Sequence, residues 1–483
     1  MENLLARPFS VRDLLLDRIR SKQARIGILG LGYVGLPLAV AFARAGFHTT
    51  GFEVDEHKAR LLNEGTSYVG DVADADIREQ VAAQRFRAVS AAEELDDADC
   101  IIVCVPTPLS KSNDPDLSYI RQATSAIRRT LRQGQLIVFE STTYPGCTDE
   151  LVLPELLRSG LALDKDFLLA FSPERVDPGN DRFHTGNIPR IVGGCSDDSC
   201  SAAAALYGQI VGHVHPVSSA RVAETAKLLE NTFRAVNIGL VNELALMCEQ
   251  MNIDVWEVIE AAKTKPYGFM PFYPGPGIGG HCIPLDPAYL SWRGRQFNFE
   301  SRFISVAQQI NASMPGHVVR LIAGALNDEG KALKDARVLV LGAAYKKNVA
   351  DVRESPAIEI IQGLRAKKAR VQFHDPLVGT IDFGNLDSHL RREMMYFGGD
   401  RRRRLHLRYE ENVGERSRRL TDMLHSVRLT ESLLAESDCV VIVTDHDSLD
   451  YCAVVEHANL IVDTRRSISP TLRAAARGRV VTL

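Results

Sequence analysis

The sequence predicts an α/β protein with two Rossmann-like, doubly wound parallel-sheet domains joined by a central helical domain. Short apolar runs alternate with helical patterns from residue 25 onwards, which is typical of a parallel sheet with helical crossovers. Apolar residues then recur at helical spacing over residues 220–250, where Gly239 is the one helix-breaking residue. At residue 336 the alternation of strand and helix patterns begins again.

The individual elements follow from these patterns. Strands are predicted over residues 25–29, 49–54, 100–105, 135–139, 167–171, 338–341, 370–374, 439–444 and 460–463. Helices are predicted over residues 10–20, 36–45, 119–131, 220–250 and 304–328, the last interrupted at Pro315. The first helix carries an apolar face that we expect to dock on the body of the protein, with membrane contact as the alternative.

The changes of pattern divide the chain into four segments. We expect an N-terminal helical extension over residues 1–24, a first Rossmann domain over 25–215, a helical domain over 216–330 and a second Rossmann-like domain over 331–483. Residues 380–427 interrupt the last domain with a polar, arginine-rich stretch. Such a long polar connection predicts a mobile surface insertion, and a specific docking surface is the alternative.

Composition excludes several classes of protein. The formal net charge of −4 gives no reason to expect a nucleic-acid partner, and no apolar stretch is long enough to span a membrane. The nine cysteines are odd in number and include no C-x-x-C pair, which favours free thiols in a reducing cytoplasm. We therefore expect a cytoplasmic protein without a disulfide framework or a metal site.

A glycine-rich turn after the first strand predicts a dinucleotide site. Gly30 permits a tight turn, Gly32 lets the backbone approach a pyrophosphate, and Gly35 lets the helix pack closely on the strand. Glu53 ends the second strand, where a carboxylate can bond a ribose 2′-hydroxyl and repel a 2′-phosphate. This favours NAD over NADP, although Lys58 lies nearby and weakens the distinction.

The most unusual segment is residues 273–286, in which four glycines and two prolines precede His281 and Cys282. Such a backbone cannot form a regular helix or strand, but it can wrap closely around a ligand and hold a thiol in a set position. A complex turn that happens to contain a cysteine is the alternative. Asp286 follows Cys282 by one helical turn; it would not activate the thiol directly, but it could orient water or a lysine.

Polar residues elsewhere could complete a chemical site. Glu224, Lys227 and Asn231 share one face of the long helix among apolar residues that are expected to be buried. A snorkelling lysine beside a solvent-facing asparagine would show the same spacing. Glu174 and the segment 140–146 each follow a strand, where side chains face the ligand crevice of an α/β sheet. An ordinary polar loop is the alternative for both.

Taken together, these residues resemble the UDP-glucose/GDP-mannose dehydrogenase family over nearly the whole chain. The motifs that carry the resemblance occur in order: Gly30-x-Gly32-x-x-Gly35, Val105-Pro-Thr-Pro108, Glu140-Ser-Thr142, Ser172-Pro-Glu174, Lys227-x-x-x-Asn231, Gly279-Gly-His-Cys282 with Asp286, and Lys346 to Arg353. Two departures stand out. Pro178 replaces a second glutamate that some members carry, and the arginine-rich insertion lengthens the third domain.

The resemblance implies catalytic roles. Cys282 would be the nucleophile, and Lys227 would stabilise oxyanions with Asn231 beside it. Glu174 would act in acid/base catalysis, while Asp286 would position water and Lys227. Thr142 would contact both the cofactor and the catalytic water.

The resemblance also implies binding residues and names the domains. The first Rossmann domain would bind NAD, the central domain would hold the cysteine loop and a homodimer interface, and the last domain would bind the UDP-sugar. Cofactor residues would be Gly30, Gly32, Tyr33, Val34, Gly35, Glu53, Lys58, Thr107, Thr142 and Arg353. Substrate residues would be Glu174, Arg175, Lys227, Asn231, Tyr273, Gly279, Lys346 and Arg465.

The implied reaction is a four-electron oxidation of the C6 alcohol of a nucleotide sugar to a uronic acid, with two NAD⁺ consumed per substrate. Residues 269–287, with His281 where the UDP-glucose branch commonly has serine, look most like the branch that acts on UDP-N-acetylglucosamine and related N-acetylhexosamines. The substrate would be UDP-N-acetylglucosamine or UDP-N-acetylgalactosamine. UDP-glucose and dTDP-glucose are the alternatives.

Three other functions are alternatives to this oxidation. A two-electron β-hydroxyacid dehydrogenase would not need the cysteine loop, and a short-chain epimerase is disfavoured because no tyrosine has a lysine four residues later. A non-catalytic nucleotide-sugar sensor would bind without turnover. We expect a homodimer through the central helix, and a higher oligomer is the alternative. The pathway is either surface polysaccharide biosynthesis or the synthesis of a glycosylated natural product.

Overall fold

The computed structural model describes residues 10–110, 114–175, 182–183, 185–280, 283–383 and 423–483. The chain divides into two compact units, one comprising Met1–Glu230 with Trp292–Asn298 and the other Asn231–Ser291 with Phe299–Leu483. Within these described ranges, no helix combines the length and the apolar character needed to cross a bilayer.

The first unit is built on an eight-stranded sheet with the order β3-β2-β1-β4-β5-β6-β7-β8. Every neighbouring pair is parallel except β6 and β7. The order of the first six strands is that of a dinucleotide-binding Rossmann sheet. The strands are β1 Arg25–Leu29, β2 His48–Phe52, β3 Phe86–Val89, β4 Cys100–Val103, β5 Gln135–Phe139, β6 Phe167–Phe171, β7 Arg190–Gly194 and β8 Val214–Val217.

Helices cover this sheet and include the predicted N-terminal one. That helix, α1, packs on α7, buries Leu15 and Ile19 in the core and pairs Arg12 with Asp198 at 2.6 Å, as its apolar face predicted. A π-helical turn over Thr148–Val152 precedes α6. The helices are α1 Val11–Arg20, α2 Gly35–Arg44, α3 Glu56–Asn63, α4 Asp74–Ala82, α5 Ser118–Thr130, α6 Leu153–Leu157 and α7 Asp197–Tyr207.

The second unit contains a five-stranded, fully parallel sheet with the order β10-β9-β13-β14-β15. Its strands are β9 Arg337–Leu341, β10 Arg370–His374, β13 Cys439–Ile442, β14 Leu460–Asp463 and β15 Arg479–Thr482. The helices that follow α7 in the chain are α8 Ala220–Met251, α9 Val255–Lys263, α10 Asp286–Gln296, α11 Arg302–Asp328, α12 Pro356–Ala366, α13 Glu431–Glu436, α14 Tyr451–His457 and α15 Pro470–Ala474. The predicted fold class is confirmed.

Helix α11 corrects one prediction, because it runs without interruption through Pro315. A proline inside a helix removes one amide donor and crowds the preceding turn. Here Met314 and Val318 are buried on either side of Pro315, and Asn311 bonds the carbonyl oxygen of Ala235 on α8 at 3.0 Å. Packing of this buried face therefore outweighs the local preference of proline for a break.

The ends of the arginine-rich insertion are joined by a short antiparallel ribbon. Strand β11 (Thr380–Asp382) pairs with β12 (Met423–His425), so Thr380 lies opposite His425. Residues 384–422 lie outside the described residues, and the surface insertion therefore stays a prediction.

The turn after β9 in the second sheet is held by a buried carboxylate. Asp375, which follows β10, accepts the backbone N–H groups of Ala343 and Ala344 at 2.7 and 3.0 Å. It also faces His446 at 3.1 Å, and both side chains are fully buried. Although burial opposes it, bonding to His446 and to backbone N–H groups lowers the pKa of Asp375 to about 2.

We expect Asp375→Asn to reduce the free energy of unfolding by about 1–3 kcal/mol near neutral pH, since a neutral amide cannot accept all the N–H groups that this buried carboxylate accepts. A carboxyl with a lowered pKa stabilises the fold above its ordinary value of 3.8, and this contribution is lost as the pH falls towards 2. Urea titrations should therefore show the difference between wild type and variant shrinking below about pH 4. Asp447→Asn, which removes an exposed ion pair with Lys347, should change stability little.

Candidate active site

The turn between β1 and α2 has the geometry that its three glycines predicted. Gly30 has a φ of +88°, and a Cβ there would lie 2.6 Å from the carbonyl oxygen of Cys104. A Cβ on Gly35 would lie against the carbonyl oxygen of Gly30, whereas a Cβ on Gly32 would meet nothing within 4 Å. The close packing of the backbone therefore requires glycine at positions 30 and 35. At Gly32 no protein atom is close, and the space over the turn is open.

The N-terminus of α2 suits a phosphate group. Val34 precedes the helix without a side-chain cap, and no acidic residue lies in the first turn. Because amide N–H groups at a helix start bind anions, this turn fits the pyrophosphate of a dinucleotide. Tyr33 is exposed beside it and Val34 is half-buried.

Glu53 stands at the carboxyl end of β2, beside the glycine turn. Its two oxygens accept the backbone N–H groups of Leu31 at 3.4 Å and Asp55 at 3.2 Å. The two bonds from backbone N–H groups orient the Glu53 carboxylate at the place where a Rossmann domain binds a ribose hydroxyl. Nearby, the amine of Lys58 lies 5.4 Å from the centre of the Tyr68 ring. Thr107 after β4 and Thr142 after β5 are half-buried in the loops at the same sheet edge.

Lys227 lies on the buried side of α8 and contacts the loop after β6. Its side chain is 8% exposed, and Nζ donates to the carbonyl oxygen of Glu174 at 2.7 Å. The side chain of Glu174 accepts from Arg190 at 3.0 Å and from the backbone N–H of Arg175 at 2.7 Å. The structure thus brings Lys227 and Glu174 together, and the exposed-lysine alternative does not apply.

Arg190 is the residue of this site that the sequence analysis missed. It is buried at the start of β7 and contacts Glu140, Glu174, Ser172 and the ring of Tyr207. The sequence favours the hydroxyl groups of segment 140–146, whereas the residue of this segment that pairs with Arg190 is Glu140. An arginine next to a strand pattern carries no signal of its own in one sequence.

Glu224 anchors the loop that contains Thr142. Its carboxylate accepts the backbone N–H groups of Gly146 and Thr148 at 2.5 and 2.9 Å, and the hydroxyl of Thr148 at 2.6 Å. Burial raises the pKa of Glu224 to about 7, and these three donors oppose that rise. Glu224 therefore fixes the loop after β5 to the start of α8.

Asn231 and Asp286 form a buried pair within the second unit. The Asn231 amide donates to Oδ2 of Asp286 at 2.5 Å, and the two side chains are 8% and 1% exposed. Asp286 begins α10, four residues after Cys282. His281 and Cys282 lie outside the described residues.

The glycines before Cys282 pack against the segment that follows β9. Gly280 has a φ of +80° and donates its N–H to the carbonyl oxygen of Arg353 at 3.0 Å. A Cβ on Gly279 would lie 2.6 Å from Cβ of Tyr345 and 2.8 Å from the carbonyl oxygen of Glu354. At both positions the close neighbour is the protein, as expected of a backbone that holds the cysteine loop in a set position, and close contact with a ligand stays a prediction.

Gly279→Ala is expected to shift the cysteine loop, because the new methyl group would meet backbone and rigid Cβ atoms. We expect a loss of about 1–3 kcal/mol in the free energy of unfolding and roughly a 10²-fold loss of kcat. Urea unfolding and NADH formation measure the two effects. Gly324→Ala in α11 is the control, since its added Cβ meets nothing within 4 Å and alanine should support the helix. A Gly279→Ala enzyme with unchanged kcat would contradict the tight packing.

The other predicted substrate residues are placed as follows. Arg175 pairs with Glu230 at 2.6 Å, and Tyr273 donates its hydroxyl to Glu260 at 2.7 Å. Arg353, predicted to bind cofactor, directs its guanidinium to Asp351 at 2.6 Å. Lys346 is half-buried in the loop after β9.

A cavity of about 670 Å³ lies in the second unit around Arg465. Trp256 and Tyr273 stack on one another in its wall, with ring centres 5.7 Å apart. Nε of Arg465 donates to the carbonyl oxygen of Val443 at 3.0 Å, and burial lowers the pKa of the guanidinium. Four carboxylates also line the cavity: Asp254, Glu257, Glu260 and Asp445.

Comparisons with known proteins match each part of the chain. Residues 24–211, 221–313 and 339–470 match, in order, the NAD binding domain, the central domain and the UDP binding domain of the UDP-glucose/GDP-mannose dehydrogenase family. The UDP-N-acetyl-D-glucosamine 6-dehydrogenase of Pseudomonas aeruginosa is 34% identical over 75% of this chain and 85% of its own length. The UDP-N-acetyl-D-mannosamine dehydrogenase of Pyrococcus horikoshii is 36% identical over 74% of this chain and 85% of its own.

A solved structure supports the same assignment. The structure of UDP-D-ManNAc dehydrogenase from Pyrococcus horikoshii superposes with a TM-score of 0.79 at 30% identity, covering 95% of this chain and 98% of that one. From the matched domains and the relatives, we conclude that the chain belongs to the UDP-glucose/GDP-mannose dehydrogenase family of NAD-dependent nucleotide-sugar oxidoreductases.

Proposed function

We propose that this protein oxidises the C6 alcohol of a UDP-N-acetylhexosamine, UDP-N-acetylglucosamine or UDP-N-acetylgalactosamine, to the uronic acid, with Cys282 as the nucleophile. The observation that carries the proposal is the buried Lys227 ammonium at the Glu174 loop, in the same unit as a dinucleotide-binding turn. A cation in such a place can stabilise oxygens that become anionic during oxidation.

NAD, held by the glycine turn and Glu53, would accept the hydride in each of two oxidations. Glu174 would take the proton of the C6 hydroxyl as the aldehyde forms. The Cys282 thiolate would add to the aldehyde carbon, giving a thiohemiacetal that can lose a second hydride and become a thioester. Water would then cleave the thioester, releasing the carboxylate and the thiol.

The polar residues have distinct parts in these steps. Lys227 would stabilise the alkoxide and each tetrahedral oxyanion, which is where an ammonium contributes most. Glu174 would serve as acid or base, typically worth about 10²–10⁴ in rate. Asp286 is buried and bonded to Asn231, an arrangement that suits a fixed carboxylate for orienting the hydrolytic water. Thr142 would contact the cofactor and this water.

The Arg465 cavity would hold the nucleotide end of the substrate. Stacked Trp256 and Tyr273 offer an apolar wall for a base, and the acidic residues can accept bonds from ribose hydroxyls. Arg465 supplies the positive charge that a diphosphate needs among those carboxylates. Lys346 would bind phosphate or sugar. Binding at this remote end would position C6 for the chemistry.

The choice of sugar rests on the residues before Cys282 and on the relatives. The named relatives include enzymes for N-acetyl-D-glucosamine and N-acetyl-D-mannosamine nucleotides. Initial rates of NADH formation should be compared for UDP-N-acetylglucosamine and its galacto and manno epimers, and for UDP-glucose and dTDP-glucose. We expect the highest kcat/KM with a UDP-N-acetylhexosamine of the gluco or galacto series. A preference for UDP-glucose would overturn the choice of sugar and leave the reaction class intact.

We also propose a homodimer through α8. The part of α8 in the second unit exposes Phe233, Leu240, Met247 and Met251, spaced by seven, seven and four residues. Such a row of large apolar side chains on one helix is typical of a protein interface. Light scattering should give the mass of a dimer or a multiple of it; a monomer at assay concentration would contradict the proposal.

A further inference from the structure

The buried side chain of Arg190 is placed by a reversal of strand direction. Strands β5 and β6 are parallel, and Glu140 and Glu174 follow their carboxyl ends. Strand β7 runs antiparallel to β6, with Ala170 opposite Gly194 and Phe171 opposite Gly193. Continuing this register by three residues sets Arg190 opposite Glu174. Because β7 and its parallel neighbour β8 run in the reverse direction, the first residue of β7 lies at the edge where the active-site loops begin.

Arg190 bridges two carboxylates and is fully enclosed. Its guanidinium lies 3.0 Å from Glu174, contacts Glu140, and stacks 4.7 Å from the ring centre of Tyr207. Tyr207 in turn donates its hydroxyl to Glu140. Arg190 and Glu140 are 3% and 2% exposed. A buried cation is stable only when paired and fully bonded, and this one is shared between an inner anion and the proposed catalytic anion.

We propose that Arg190 is a positioning residue, which holds the Glu174 side chain oriented and ionised and is itself held by Glu140 and Tyr207. This inference rests on the proposed role of Glu174 in proton transfer. Nε of Arg190 also donates to Ser172 Oγ at 3.0 Å, so the guanidinium is fixed in its plane. The guanidinium presents its donors in a rigid planar fork that sets the directions of its acceptors, whereas a lysine ammonium is a compact charge on a flexible stem.

Glu140 and Glu174 share the charge of Arg190, so the ionisation of each carboxylate depends on the other. Burial raises the pKa of Glu140, the guanidinium of Arg190 lowers it, and the charge of Glu174 raises it. The two carboxylates therefore compete for one cation. Other ionisable groups surround the cluster from neighbouring elements: Cys104, Arg175 with its partner Glu230, and Lys227.

Two substitutions should move the acidic limb of the pH–rate profile in opposite directions. Arg190→Gln removes the cation, so Glu174 should ionise only at higher pH; we expect roughly a 10²-fold loss of kcat and an upward shift of about one pH unit or more. Glu140→Gln removes the competing anion, so the limb should move to lower pH. Arg190→Lys keeps the charge, so the limb should stay near its wild-type position while kcat falls about tenfold.

The measurement is kcat from NADH formation across pH, with the thermal midpoint and NAD affinity of each variant measured alongside. Arg158→Gln, which breaks an exposed pair with Glu155, is the matched control and should leave the profile unchanged. Opposite shifts in the Arg190→Gln and Glu140→Gln enzymes support the inference, and any other pattern overturns it. If Arg190→Gln does not fold, Glu140→Gln and Arg190→Lys decide the question by the same criteria.

Glu174→Gln separates this inference from the proposed function. An acidic limb that persists in the Glu174→Gln enzyme would show that Glu174 is not the base. The proposed role of Glu174 in proton transfer would then be wrong, and the inference about Arg190 would be wrong with it. A limb that depends on Glu174 but does not respond to Arg190 or Glu140 overturns the inference alone.

Discussion

Replacing Cys282 by serine should stop formation of the uronic acid while NAD still binds. A serine hydroxyl is far less ionised than a thiol and cannot form the thiohemiacetal or the thioester, so covalent capture of the aldehyde would be lost. We expect the rate of acid formation to fall by roughly 10³–10⁶-fold, the range for loss of a catalytic nucleophile. Mass spectrometry of the product and a fluorescence titration with NAD measure the two properties separately.

Cys452→Ser is the matched control for this experiment. Cys452 is an exposed free thiol in α14, so its replacement should leave both acid formation and NAD affinity unchanged. Full four-electron turnover by the Cys282→Ser enzyme would remove Cys282 as the nucleophile.

Lys227→Ala should lower kcat by about 10²–10³-fold, since it removes the cation proposed to stabilise each oxyanion. It also leaves the carbonyl oxygen of Glu174 without the donor that lies 2.7 Å away. The affinity for NAD should change little, because the glycine turn and Glu53 do not depend on this lysine. Steady-state kinetics and NAD titration, performed together, test both expectations.

Arg234→Ala provides a control on the same helix, because Arg234 is an exposed cation of α8 two turns further on. Its removal should leave kcat near the wild-type value. A Lys227→Ala enzyme that is as fast as this control would eliminate the proposed role of Lys227.

The sequence predicted the strands that lie in the middle of each sheet more successfully than those at the edges. Strands β1, β5, β6 and β14 lie inside the sheets and have the predicted bounds, because buried parallel strands are continuous apolar runs. Strand β10 also has the predicted bounds, although it lies at the edge of the second sheet. The sequence did not predict the edge strands β3, β8 and β15, each of which is four residues long. Strand β8 contains Pro216, which is tolerated in a strand chiefly at a sheet edge. The interior strand β7 was also missed, because its apolar run is only Ile191 and Val192 between Arg190 and two glycines.

In the candidate site too, the features that depend on local sequence could be predicted, whereas the contacts between distant residues could not. Glycine turns and a polar stripe on an apolar helix follow local rules, so the dinucleotide turn and the burial of Lys227 could be inferred from spacing. The partner of Glu174 could not, because Arg190 reaches it through the reversed direction of β7, a property of the whole sheet. The packing of Gly279 on Tyr345 likewise joins residues far apart in the chain.

The stoichiometry of NADH formation tests the central claim most directly. A limiting amount of the preferred sugar nucleotide should be converted to completion with NAD in excess, and the product mass determined. The account predicts two NADH per sugar nucleotide and a product that has gained one oxygen and lost two hydrogens. One NADH per sugar, with an aldehyde or ketone as the final product, would contradict it.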